Sequence, residues 1–192
     1  MPNTAFVYLA TANLVDPNHR FRTMPYHILV VDDEDDVRLI LETLFSGKGY
    51  KVSKAVDGAA AIEFLNASLE DDYPDLIVAD YQMPNMNGID FLTRSLEICP
   101  TKIRILLTAH GDLQVAVDAI NEAQVYKFIT KPWNNNDLLL TVQRALEHYD
   151  LIRENRAFAD MLEMMVEEST EEMERMRNAL QDMAKRIRGL IP

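Results

Sequence analysis

The sequence predicts an α/β fold: a doubly wound, five-stranded parallel sheet of order 2-1-3-4-5, followed by a long C-terminal helix. Three observations predict it. Short apolar runs alternate with helical stretches five times from about residue 27 onward. Two of those runs are apolar almost throughout rather than every second residue, so both faces of the sheet must be covered, as in parallel sheets. After Asn134 no Pro or Gly occurs before Gly189, and a heptad pattern takes over.

The elements follow in order. HILVV (27–31) is a short β-branched strand. Val37, Ile40, Leu41, Leu44 and Phe45 then recur at helical spacing, and Gly47 and Gly49 end that helix. YKVSKAV (50–56) is a more polar strand, and AAAIEFLNASL (59–69) a helix. DLIVA (75–79) is a second near-continuous strand, and Gly88 to Ile98 is helical. KIRILLT (102–108) is a strand, DLQVAVDAINEA (112–123) a helix and VYKFIT (125–130) the fifth strand. Right-handed crossovers leave few topologies for such a string. In the order 2-1-3-4-5, ligands sit at the carboxyl ends of the strands, beside the switch point between strands 1 and 3.

Composition narrows the function. Of 192 residues, 19 are Lys or Arg and 31 are Asp or Glu, a net charge of −12. That argues against a nucleic-acid-binding surface, which needs a basic patch, and favours protein or cation partners. No run of 18 apolar residues occurs, so no membrane span is expected. Cys99 is the single cysteine, which excludes an intrachain disulfide and suits a reducing cytoplasm; before Pro100 it reads as a packing residue. Residues 1–24 are expected to be a disordered extension. They have a short apolar piece with no basic region ahead of it, so a signal peptide is a poor reading. Met24, where the regular pattern starts, is an alternative first residue.

The strand ends carry the chemistry. Strand 1 runs into Asp32, Asp33 and Glu34, strand 3 into Asp80, strand 4 into Thr108 and Ala109, and strand 5 into Lys131 and Pro132. Each alone has an ordinary reading. Asp32 and Asp33 suit the start of a helix, an Asp after a strand is usually a turn residue, and a lone Lys is usually solvated. Together, at one sheet edge, the carboxylates repel unless a cation lies among them. Oxygen ligands with room for water suit Mg²⁺, and an opposing hydroxyl and ammonium suit a phosphoryl group.

VVDDE, LIVADYQMPNMNG, LLTAHG and FITKPW occur in this order, with Pro84 four and Gly88 eight residues after Asp80. By these motifs the chain resembles the receiver domain of two-component response regulators, a flavodoxin-like fold. The resemblance covers residues 25–148. It implies that Asp80 accepts a phosphoryl group from a histidine kinase or phosphotransfer protein. It implies Mg²⁺ bound by Asp33, Asp80 and the backbone carbonyl of Gln82, with Asp32 acting through water. Thr108 would hydrogen-bond the phosphoryl group and Lys131 would pair with it. Pro132, after a cis peptide, would aim Lys131. Thr108 and Phe128 would swing inward on phosphorylation, although an aromatic on strand 5 is also an ordinary core residue. His110 follows Ala109 and reads as a solvated loop residue. The chain is expected to have no separate enzymatic domain. A phosphatase of the haloacid dehalogenase class also uses a strand-end Asp with Mg²⁺, but it expects a second Asp where Gln82 stands.

The tail, residues 149–192, is expected to form a coiled coil continuous with the fifth helix. Ile152, Asn155, Ala159, Leu162, Val166, Ser169, Met173, Met176, Leu180, Met183, Ile187 and Leu190 are spaced alternately by three and four. Ten of the twelve are apolar, which favours a homodimeric coiled coil over a helix folded back on its own domain. Residues 163–174 are mostly acidic and 175–188 mostly basic, a separation that suits antiparallel pairing too and leaves strand direction open. Phe158, Met161, Met164 and Met165 lie off the seam and widen the apolar surface, which suits a downstream protein partner or a higher oligomer. KPW and a helix ending in ALEHYDLIRENR resemble the linkers of regulators that carry cyclic-di-GMP phosphodiesterase or AAA+ activator domains. The rival reading is an adaptor whose coiled coil binds another protein while the receiver gates access.

Overall fold

Aliphatic runs build the centre of the sheet, and their burial decides which strands are central. The structure, a computed structural model, describes residues 25–69, 72–109 and 123–188. β1 (His27–Val31), β3 (Leu76–Asp80) and all of β4 (Ile103–Ala109) but its last residue are buried. β2 (Lys51–Ala55) and β5 (Lys127–Lys131) are half-exposed and form the edges. All pairings are parallel, in the order β2-β1-β3-β4-β5, as the sequence predicts. β1 has the predicted bounds, and the other four strands run one or two residues off theirs. Strand 3 in particular extends to Asp80, because Asp80 pairs with Leu107.

Alternate strand residues feed two cores. On one face Ile28, Val30, Val78, Ile105 and Leu107 pack with Leu41 and Phe45 of α1 (Asp35–Ser46) and with Leu138, Val142 and Leu146 of the C-terminal helix α4 (Asn135–Arg188). On the other, Leu29, Val31, Ile77, Ala79 and Leu106 meet Ala61 and Leu65 of α2 (Gly58–Ala67) and Phe91 and Leu92 of α3 (Gly88–Ile98). Cys99 is buried there as a packing residue. The predicted extension 1–24, the helix 112–123 apart from Ala123, His110 and the last seam residue Leu190 lie outside the described residues. No described helix is long and apolar enough to cross a membrane.

α4 is one helix of 54 residues, about 80 Å long at 1.5 Å per residue. The Asn134 side chain caps it, accepting from the backbone N–H of Asn136 at 2.9 Å. Its first turns are locked to the domain: Lys102 Nζ donates to Tyr149 Oη at 2.7 Å, and Tyr26 donates to Asp150. Ile152, the first residue of the predicted seam, is itself partly buried against this core. From Leu162 to Met183 the large seam residues are exposed on the single chain.

His27 gives the fold a pH dependence. Its ring is buried, with Nε2 2.8 Å from Ser53 Oγ and Nδ1 3.2 Å from the Asp72 carbonyl oxygen. Burial, with Lys51 nearby, holds its pKa below the ordinary 6.5 despite the Asp72 contact. The unfolded chain therefore takes up this proton first as pH falls. The stabilisation from neutral His27 is complete above about pH 6.5 and is lost as the pH drops toward the folded-state value. Urea unfolding at about pH 7.5 and about pH 5.5 should show a drop in stability that is smaller in His27→Gln. An equal drop in both proteins would remove His27 as the cause.

Candidate functional site

The topology gathers the predicted residues at the carboxyl edge. β1 delivers Asp32 and Asp33, and neighbouring β3 ends on Asp80. β4 supplies Thr108, one residue beyond the Leu107 that pairs with Asp80, and β5 ends on Lys131, opposite Ala109. Asp32 and Asp80 are almost fully buried, and Asp33 is exposed. Carboxylate oxygens of Asp32, Asp33 and Asp80 all lie within 4.8 Å of one another.

Lys131 bridges the acids. Its Nζ lies 2.7 Å from Asp80 Oδ1, 2.9 Å from Asp32 Oδ2 and 3.8 Å from Glu34 Oε1. Burial opposes the ammonium charge, but the bonds to Asp80 and Asp32 outweigh it and raise the Lys131 pKa. Burial also raises the Asp80 pKa, against the pull of Lys131, with Asp32 adding to the rise. Asp80 Oδ2 accepts the Gln82 backbone N–H at 3.1 Å, and Asp32 Oδ1 accepts that of Glu34 at 2.9 Å. The Lys131–Pro132 peptide is cis. Phe128 is partly buried against the core on the α2/α3 face.

Two features fit a divalent cation and an anionic ligand. The carboxylates of Asp32, Asp33 and Asp80, with Glu34 beside Lys131, outnumber the one ammonium, and that excess of negative charge suits a divalent cation. Thr108 Oγ1 is buried with no hydrogen-bond partner among the described residues, so its hydroxyl is a donor available to an incoming acceptor. Asp32, Asp33, Asp80 and the Gln82 carbonyl could hold Mg²⁺, and Thr108 and Lys131 stand at the neighbouring strand ends.

Sequence reasoning missed some supports. Arg38, on α1, donates to the Asp32 carbonyl oxygen and to the Asp35 carboxylate, fixing the turn that carries Asp32. Gly88 allows a close backbone approach where the loop re-enters a helix. Its φ is not left-handed; a Cβ there would stand 2.1 Å from the Asp80 carbonyl oxygen. Gly88→Ala is expected to cost about 3 kcal/mol, because the obstacle is backbone and cannot rotate away. A urea midpoint equal to wild type would refute the close approach.

A doubly wound sheet with acids at the ends of β1 and β3 and a lysine at the end of β5 defines a class of α/β signalling domain. The chain belongs to the response regulator receiver domain family, whose model matches residues 28–143. It is 31% identical over 162 residues to the C4-dicarboxylate transport transcriptional regulatory protein DctD of Rhizobium meliloti, covering 82% of this chain and 34% of that protein. It is also 31% identical over 122 residues to the DNA-binding transcriptional regulator NtrC of Escherichia coli, covering 64% of this chain and 25% of that one. This chain thus spans about a quarter to a third of the length of the curated relatives it matches. Among solved structures, the signal receiver domain of an HD domain-containing protein from Pseudomonas fluorescens superposes with a TM-score of 0.61 at 33% identity, covering 66% of this chain and 98% of that one.

Proposed function

We propose that this protein is a response regulator that takes a phosphoryl group from a histidine kinase or phosphotransfer protein onto Asp80, and signals through a homodimeric helix. The observation that carries the reading is the pairing of Lys131 with both Asp32 and Asp80 next to the unpartnered Thr108 hydroxyl. Asp33, Asp80 and the Gln82 carbonyl would hold Mg²⁺, and Asp32 would act through water. Bound there, Mg²⁺ supplies neutralisation of carboxylate and phosphoryl charge. The Asp80 carboxylate forms the bond to phosphorus as the donor's phosphorus–nitrogen bond breaks. Lys131 then pairs with a phosphoryl oxygen, and Thr108 Oγ1 donates to another.

Once Thr108 turns to the phosphoryl group, the space beside it opens to Phe128, which sits two residues before Thr130, the strand partner of Thr108. The inward movement of Phe128 reshapes the surface beside β5 and α4. Because α4 runs unbroken into the exposed seam, the change reaches the paired helices as a shift between two packings of similar energy. A downstream protein or output domain reads that shift. The test is incubation with acetyl phosphate with and without Mg²⁺. Acid-labile phosphate should approach one per chain only with Mg²⁺, and no incorporation under either condition would overturn the reading.

A further inference from the structure

Next to the acidic site, two loops are tied together by a contact that phosphoryl transfer itself does not use. Asp57 caps α2, its Oδ1 accepting the Ala60 backbone N–H at 2.8 Å. Its second oxygen, Oδ2, accepts from Asn85 Nδ2 at 2.8 Å, across 28 residues of chain. Asn85 lies in the loop between β3 and α3 with φ of 63°, in the left-handed region that Asn tolerates better than most residues. The loops meet a second time beside this bond: a Cβ on Gly58 would stand 2.9 Å from Met86 Cγ and 3.0 Å from the Met86 carbonyl oxygen.

The tied loop carries Gln82. We propose that Asp57 is a positioning residue for the metal-binding loop: through Asn85, its carboxylate holds residues 81–87 in the shape that sets the Gln82 backbone beside Asp80. Inside the loop and at its ends the backbone bonds are Met86 N–H to the Pro84 oxygen, Gly88 N–H to the Tyr81 oxygen and Tyr81 N–H to the Leu107 oxygen. These fix the ends of the loop and its tip. The Asp57 carboxylate ties the turn at Asn85 to the start of α2. Asp57 is 9% exposed, and the Ala60 N–H, together with Asn85, keeps its pKa below the usual carboxylate range. It therefore stays ionised, and the bond to Asn85 is charge-assisted. Outer groups that orient a metal ligand bear on metal affinity without touching the ion.

The proposal rests on the reading of Asp80 and its neighbours as an Mg²⁺ site. It is tested on the full chain by calorimetric titration with Mg²⁺ of wild type, Asp57→Ser, Asn85→Gly and the double variant, with unfolding midpoints taken in EDTA. Serine keeps the helix cap but has no second oxygen for Asn85. Glycine keeps the left-handed backbone and removes the amide. Each single variant should bind Mg²⁺ about tenfold more weakly, the low end of what losing an outer-shell partner does. The double should lose no more than either single, because both remove the same bond. Phosphorylation by acetyl phosphate should return to the wild-type maximum at saturating Mg²⁺. Single variants that bind as wild type does, or a double that sums their losses, would overturn the latch alone. If Asp57→Ser does not fold, Asn85→Gly, which leaves the cap intact, decides. A wild type that binds no Mg²⁺ overturns the phosphoryl-acceptor reading and the latch together.

Discussion

Asp80→Asn should take up no acid-labile phosphate from a phosphohistidine donor or acetyl phosphate, while wild type approaches one phosphate per chain. The amide keeps the size and shape of the side chain and accepts the Gln82 N–H, but it cannot form an acyl phosphate from a free carboxylate. It also removes one of three clustered charges, so Mg²⁺ binding should weaken as well. Two companion variants separate the chemistry from the charge. Thr108→Ala leaves the nucleophile and the acids intact, so it should still be phosphorylated but should lose the downstream change in the helix. Lys131→Met should be phosphorylated slowly, because the counter-charge 2.7 Å from Asp80 is gone. Its fold should suffer too, since two buried carboxylates then face each other unpaired. Phosphate persisting on Asp80→Asn would mean that another residue is the acceptor.

Much of this was legible in the chain, for identifiable reasons. β1, β3 and β4 are covered on both faces, so apart from Arg104 and the residues at their ends their sequences are apolar and cannot be confused with a surface helix. Parallel connection then brings the strand ends to one edge, which is why Asp32, Asp33, Asp80, Thr108 and Lys131 could be grouped without coordinates. What could not be read depends on which loops touch. Asp57 and Asn85 are ordinary cap and turn residues in the sequence, and only the packed loops make them partners. Arg104 is a charge inside a buried strand. It is 2% exposed, and its guanidinium reaches Ser95 Oγ at 2.8 Å and the carbonyl oxygens of Ser95 at 2.9 Å and Cys99 at 2.7 Å, closing the C-terminal end of α3. No rule of spacing announces such a cation, because its acceptors are backbone oxygens that every residue carries.

Val166→Glu combined with Leu180→Glu should convert a dimer to a monomer while leaving the receiver folded. Both residues lie on the heptad seam and are 65% and 60% exposed on the single chain. Glutamate keeps helix propensity, so the helix itself is spared. With it lie Leu162, Met173, Met176 and Met183, likewise exposed and on the same seam. Burying such side chains is worth about 1.5–3 kcal/mol each. Twelve across two chains, each already partly covered by its own helix, gain an amount comparable with or above an association cost of ~4–15 kcal/mol. Light scattering should give twice the chain mass for wild type and the single-chain mass for the variant. Thermal unfolding of the receiver, whose core ends near Tyr149 and Ile152, should be nearly unchanged. The same measurement with Mg²⁺ and beryllofluoride then locates the signal. If wild type changes mass and Asp80→Asn does not, phosphorylation controls assembly. If both remain the same dimer, the coil is constitutive, and the message lies in how its two helices pack. A wild type that is monomeric at every concentration would instead leave the exposed stripe to a different protein, the arrangement of an adaptor.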